Sequence, residues 1–293
     1  MAPHELALVL FALGLSVTTA ASALGLAGGA IISPFLILAI GLEPRLAIGT
    51  TVLGVFAAIL SASLAYVRQK RVDFKLALLF DALDVLGVAL GAYLTVVLLP
   101  EVLACSLGAF LLYSGIRLAV RTLRATFRER GRPLAASSQE EASNGAIWRR
   151  TIVDKDGRAY SYGLSKAGLM TAILGSFFSG LISGMLGLGG GLTDLSLMLL
   201  LGVPMEVAMA TAMFGMLLTR VSSVVAHILL GNVKIELAAP LAFGALIGGQ
   251  LGPRIASKLR PEVLKLVFSS IVLALGFVLL LRSALSLASM LSP

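Results

Sequence analysis

The chain is poor in charge and carries one cysteine and two histidines. Asp, Glu, Lys and Arg make up 13% of its 293 residues, about half the share of a soluble domain. That excludes an ordinary water-soluble globule of this length. Cys105 alone cannot close an intrachain disulfide, and no His/Cys/acid cluster offers a metal site. The phrase Gly-x-x-x-x-Gly-Lys-Ser/Thr is missing, which excludes ATP hydrolysis by that route. The start, Met1-Ala2-Pro3-His4-Glu5, lacks the basic opening of a signal peptide, so residues 6–23 read as a retained membrane segment. Nothing implies a cofactor.

What is present is apolar. The chain is 58% hydrophobic, with a mean hydropathy of +0.99. Apolar runs at 46–66, 76–99, 102–120, 207–230 and 264–281 each approach the ~20 residues that cross a hydrocarbon core. A membrane β-barrel would show alternating strands of ~10 residues instead. The fold class is an all-α polytopic membrane protein with the lipid bilayer as its solvent. The net charge of +8 does not point to nucleic acid. Ten Arg or Lys crowd into residues 117–158, and a basic stretch beside membrane helices marks the cytoplasmic side.

One phrase occurs twice. Gly25-Leu26-Ala27-Gly28-Gly29 is matched by Gly187-Leu188-Gly189-Gly190-Gly191. After a one-residue gap the correspondence continues at an offset of 161: Gly41 with Gly202, Thr50 with Thr211, Ser61 with Ser222, Gly87 with Gly248. Pro100-Glu101-Val102-Leu103 is repeated as Pro261-Glu262-Val263-Leu264. Duplicated hydrophobic halves interrupted by glycine point to a transporter and to its binding site. The halves run over residues 4–120 and 166–283, joined by a basic linker over 121–165. Asp154-Lys155-Asp156-Gly157 between β-prone flanks predicts a small hairpin in that linker.

Each half opens with ~35 apolar residues split by its glycine phrase, too long for one crossing. The pieces after the split, 30–40 and 192–201, have ~10 residues, half a bilayer of helix. Each opening therefore reads as a glycine-tipped helical hairpin or re-entrant unit, followed by three full helices. Arg68, Lys70, Arg71 and Lys75 mark one loop as cytoplasmic, and Arg254, Lys258, Arg260 and Lys265 mark another. The first-half equivalent of that second loop, at Pro100-Glu101, has no Lys or Arg. Equivalent loops then lie on opposite sides, so the expectation is two inverted-topology repeats with an odd number of traversals each. The linker is expected in the cytoplasm and both termini outside it.

Several residue types suit an anion site. The glycine tips, Gly28 and Gly29 with Gly189, Gly190 and Gly191, let a ligand reach free N–H groups at the start of a short helix. Helix packing is the bland alternative for glycine, and it is the expected role of Gly87, Gly91 and the 244–252 glycines. Arg220 lies deep in an apolar run, as an anion contact or in a structural ion pair with Asp194. Asp194 follows the second tip by three residues, as a cap for the short helix or as a carrier of a proton or cation. Asp81 and Asp84 share a helical face. Two such carboxyl groups can hold and release a proton between them, and the alternative is a solvated place near the helix end. Thr50, Thr51 and Thr211 follow loops that re-enter the membrane, and their hydroxyls suit an oxyanion. Ser61, Ser63, Thr219, Ser222 and Ser223 are weaker candidates, and Gln250 lies within or near a second-half helix. His227 is expected near a helix end, in contact with solvent.

The run from Gly25 through Pro34-Phe35-Leu36, then Ala47-Ile48-Gly49-Thr50-Thr51, resembles the TauE/SafE sulfite-exporter family. The second copy, with Ala208-Met209-Ala210-Thr211, and the basic linker ending in Tyr160-Ser161-Tyr162 look the same. The resemblance spans nearly the whole chain. It implies a secondary carrier of the prokaryotic cytoplasmic membrane for sulfur-containing anions such as sulfite or organosulfonates like sulfoacetate, with protons a candidate coupling ion. The second copy departs by having Thr193-Asp194 and Ser196 where the first has Ile31-Ile32 and Pro34. A passive anion channel is the nearest alternative. A remote one is an intramembrane aspartyl protease, prompted by Gly191-Leu192-Thr193-Asp194 and requiring a second aspartate at equal depth.

Overall fold

The structure is a computed structural model that describes residues 3–128, 147–187, 191–255 and 261–291. Gly189, Gly190, Lys258, Arg260 and the linker from 129 to 146 lie outside the described residues.

The first half comprises α1 (Pro3–Ala23), α2 (Gly29–Leu38), α3 (Pro44–Arg68), α4 (Phe74–Val97) and α5 (Pro100–Arg128). The linker forms β1 (Trp148–Val153) and β2 (Ala159–Leu164). The second half comprises α6 (Lys166–Leu186), α7 (Gly191–Leu200), α8 (Met205–Leu229), α9 (Ile235–Ile255) and α10 (Pro261–Leu291). The starts of α3, α4 and α5 and those of α8, α9 and α10 differ by the offset of 161 read from the sequence. Among the described residues, seven helices are long and apolar enough to cross a membrane. The eighth, α4, bends by 43° between Asp81 and Leu83. The short helices expected after each glycine phrase are present: α2 and α7 have 10 residues each, about 15 Å of helix.

Local chemistry sets these boundaries. Pro44 starts α3, where its missing N–H costs nothing. Asp73 caps α4 by accepting from the amides of Lys75 and Leu76. Ser165 caps α6 through the amide of Gly168. At the tips, Gly25 (φ 73°) and Gly187 (φ 68°) take left-handed backbone that a side chain would strain.

The halves are interleaved. The tightest helix pairs are α1 with α9, α4 with α6, and α5 with α10, and each joins one half to the other. Glycine brings the backbones together. Gly244, Gly248 and Gly252 rest in turn on Phe11, Leu15 and Thr19, so α1 and α9 run parallel. Gly87 and Gly91 rest on Phe177 and Leu181, so α4 and α6 run parallel too. Gly108 faces Leu280 and Gly115 faces Leu273, so α5 and α10 are antiparallel. The long helices α3 and α8 cross at the centre, where the Ser63 hydroxyl donates to the Met213 carbonyl at 2.9 Å.

The linker hairpin is the one predicted, with Thr151 opposite Ser161. It docks on the loop between α3 and α4. Arg150 holds the Asp73 carboxylate at 2.8 and 3.1 Å, and the Tyr162 hydroxyl donates to it at 2.8 Å. Arg71 pairs with Asp154 at 3.1 Å. Tyr162 and Leu164 join a second apolar core with Leu76, Phe80 and Val207. The two basic segments assigned to one side of the membrane are thus in direct contact.

Candidate functional site

Charge in the membrane core is concentrated where α4, α6, α7 and α8 meet. Asp81 and Asp84 come from α4, Ser179 and Ser183 from α6, Asp194 from α7, and Arg220 from α8. All six are buried. Arg220 is 1% exposed, which sets it apart from every other arginine described. Its Nη2 donates to Ser183 at 2.8 Å, and its Nη1 has no hydrogen-bond partner. Asp194 Oδ1 accepts from Ser179 at 2.6 Å, and the Ser179 and Thr193 hydroxyls are bonded to each other. Asp84 interacts electrostatically with Asp194, Asp81 and Arg220. One oxygen of Asp81, one of Asp84 and the Ser223 hydroxyl are buried and unpartnered. Such groups are costly unless something else satisfies them.

The sequence expectations sort themselves on this geometry. Asp81 and Asp84 share one site with Arg220 and Asp194, and the solvated alternative for the two carboxyl groups is overturned by their burial. Arg220 bonds to Ser183 and not to Asp194, so a direct ion pair between them is not formed. His227 is fully buried, not in contact with solvent. The α8 helix continues past it, and Asn232 and Gly184 cover its ring.

Thr50 and Thr211 lie elsewhere. Thr50 Oγ1 accepts from the Lys234 amide and Thr211 Oγ1 from the Asp73 amide, both at 3.0 Å. Each hydroxyl keeps its proton to donate. The Thr51 hydroxyl is buried and unpartnered. Gly28 precedes α2 at φ 86°, and Gly29 and Gly191 begin α2 and α7. Sequence reading missed Asp73, Arg150 and Tyr162. The Asp directly before the apolar run at Phe74 is a helix-start signal that finds the first of them.

The interleaving creates a counterpart to this site, where α9, α1, α2 and α3 meet. In it Asp81 and Asp84 are replaced by Ala242 and Ala245, and Arg220 by Ile59. Across the one-residue gap, Asp194 becomes Ile32, Ser179 becomes Val17 and Ser183 becomes Ala21. The fold is duplicated and the charge is not. Two serine hydroxyls, three carboxyl groups and a guanidinium on one side face only alanine, valine and isoleucine on the other. No group of three or more His, Cys, Asp or Glu that could hold a metal ion occurs among the described residues. The arrangement suits a small anion at Arg220 and protons on the carboxyl groups.

Comparison with known proteins agrees. The family model described as "Sulfite exporter TauE/SafE" matches residues 10–279. The probable membrane transporter protein YunE of Bacillus subtilis is 32% identical over 276 residues, covering 92% of this chain and 95% of that protein. The probable membrane transporter protein YtnM of the same organism is 36% identical over 104 residues, 36% of this chain and 35% of that one. No solved structure gives a significant match. A transporter family also displaces the protease alternative. This chain belongs to the sulfite exporter TauE/SafE family and is a multi-pass membrane transporter.

Proposed function

We propose that the chain is a secondary carrier of small sulfur-containing anions, sulfite or a sulfonate, coupled to protons and working by alternating access. Arg220 is the anion contact. One observation carries the reading: a buried guanidinium with an unpartnered nitrogen, interacting electrostatically with the buried carboxyl groups of Asp84 and Asp194. A planar guanidinium offers paired donors to an oxyanion. Three carboxylates and one arginine in one buried region leave two negative charges unbalanced, which a dry interior penalises heavily. Protons on the carboxyl groups restore the balance. An anion arriving at Arg220 brings more negative charge, so anion and proton travel together.

Two inverted repeats supply the moving parts. The antiparallel course of the equivalent helices α5 and α10 supports the inversion. So does the exchange of partners, in which α1 pairs with α9 as α6 pairs with α4. The hairpin linker sits on the cytoplasmic face of a prokaryotic inner membrane, and both termini lie on the opposite face. Gly28, Gly29 and Gly191 line the approach, with Thr51 as a further donor.

The test is transport by purified protein in liposomes, with a panel of sulfite, sulfate, thiosulfate and sulfoacetate. Accumulation of one of them against its gradient, driven by an imposed pH difference, is expected. Arg220→Gln should reduce that flux about tenfold or more, by loss of a charged contact. Flux that only ever runs down the anion gradient would leave a passive channel as the reading.

A further inference from the structure

Beyond Arg220, α8 continues with more buried polar groups, leading away from the linker hairpin. Ser223 is one turn on, with its hydroxyl unpartnered. His227 is a turn further, about 10 Å from Arg220 by helical rise. His227 Nε2 lies 3.2 Å from the Gly184 carbonyl on α6, and Nδ1 lies 3.4 Å from the side-chain amide of Asn232. Asn232 in turn donates to Thr95 on α4 at 3.0 Å. These contacts assign the tautomer. A carbonyl can only accept, so Nε2 carries the hydrogen and Nδ1 accepts from Asn232.

The first half shows what this position needs for structure alone. The α3 equivalents of Thr219, Arg220, Ser223 and His227 are Ala58, Ile59, Ala62 and Tyr66. The Tyr66 hydroxyl donates at 3.0 Å to the carbonyl of Ser22, the counterpart of Gly184. The same bond to the same carbonyl is thus made by a tyrosine in one half and a histidine in the other. A histidine adds a second nitrogen that can accept a proton. It stands on the helix that carries Arg220, and the first-half equivalents of Thr219, Arg220 and Ser223 are all apolar.

We infer that His227 is a proton relay between the face opposite the linker hairpin and the carboxyl groups of Asp84 and Asp194. The inference rests on the proton-coupled reading above. A hydronium ion at that face gives its proton to Nδ1 and becomes water, and the Asn232 amide moves aside. The ring then carries a hydrogen on each nitrogen. The Nε2 hydrogen passes through water beside Ser223 to a carboxylate, leaving a carboxylic acid and a neutral imidazole. One proton is transferred, and no electron moves. The charged group that acts on His227 is Arg220 on its own helix. Its contacts from α6 and from the α8–α9 turn are the neutral Gly184 and Asn232.

Liposomes carrying the protein and an internal pH dye test this with sulfite. Proton movement driven by sulfite and one-for-one sulfite exchange are read side by side. His227→Gln keeps a side chain that can bond Gly184, and it should slow proton movement about tenfold or more while exchange persists. Thr95→Val, close in shape to the native residue, frees Asn232 to move aside and should leave proton movement as fast as in the native protein or faster. Tyr66→Phe, the equivalent loss in the first half, should leave it unchanged. Wild-type protein that moves sulfite without protons would defeat the coupled reading and the relay with it. Coupled wild-type protein whose His227→Gln variant moves protons equally fast, or whose Thr95→Val variant moves them severalfold more slowly, would overturn the relay alone.

Discussion

The Thr211 hydroxyl accepts a hydrogen bond from the amide of Asp73 at 3.0 Å, pinning the start of α8 to the start of α4. Its counterpart Thr50 accepts at the same distance from the amide of Lys234, the counterpart of Asp73. Each half thus brackets the other at an equivalent point. Thr211→Val leaves a buried amide unpaired, which costs about 1–3 kcal/mol, and Thr50→Val leaves a part-buried one, which costs less. Thr211→Val and Thr50→Val should each lower the thermal unfolding midpoint. Transport KM separates two roles: unchanged if the hydroxyls only bracket the halves, raised if they also hold the anion.

A second reciprocal pair lies at the glycine tips. A methyl group added at Gly25 would come within 2.9 Å of Met209, and one added at Gly187 within 2.9 Å of Ile48, the residue equivalent to Met209. Both glycines also have positive φ, where an L residue costs about 1–2 kcal/mol before any clash. Gly25→Ala and Gly187→Ala should each destabilise the protein by that much or more, read as loss of folded protein on heating in detergent. A substitution at Gly41, also at positive φ but with open space around it, should cost only the backbone part.

The docked hairpin should be released by acid. Burial works to raise the Asp73 carboxyl, but bonds from Arg150, Tyr162 and the Leu76 amide outweigh it and hold the group below its ordinary 3.8. A group depressed in the folded state stabilises it fully above the unfolded value and loses that contribution as pH falls through the folded one. Asp154 shifts the same way, with burial opposed by the Arg158 amide and by Arg71. The hairpin should therefore hold above about pH 4 and detach below it. Trp148, the chain's single tryptophan and half-buried in β1, reports this by its fluorescence. Arg150→Ala should move the transition to higher pH, and an unchanged midpoint would show that the pair does not hold the hairpin.

The architecture was largely legible because its signals are periodic and local. Apolar run lengths gave the spans, the twin glycine phrases gave the 10-residue helices, and Asp-Gly gave the hairpin. Arg220 stood out because charge is rare in such a run. What could not be read is which half each helix packs against. That α1 lies on α9 and α6 on α4 depends on glycine rows meeting across more than 200 and about 90 residues, and a row names no partner. For the same reason Asp81 and Asp84 could be set on one helical face but not beside Asp194. His227 was misplaced because counting along α8 gives depth and says nothing of the cover that Gly184 and Asn232 provide.

Gly215 offers the sharpest separation of stability from transport. It lies on α8 facing the Asp81 carboxyl group, and a β-carbon there would sit 3.0 Å from Oδ1 and 3.3 Å from Oδ2. Alanine is favoured over glycine inside a helix by about 0.5–1 kcal/mol. Against that stands the crowding of a side chain that can turn about its own bonds, so the two effects nearly cancel in the folded state. Transport has no such compensation, because the carboxyl group must turn away from the position it holds beside Asp84. Gly215→Ala should therefore unfold within a few degrees of the native protein while its coupled flux falls about tenfold, roughly 1.4 kcal/mol of barrier. Equal flux at equal stability would remove the Asp81 carboxyl group from the transport cycle and leave Asp84 and Asp194 as its proton carriers.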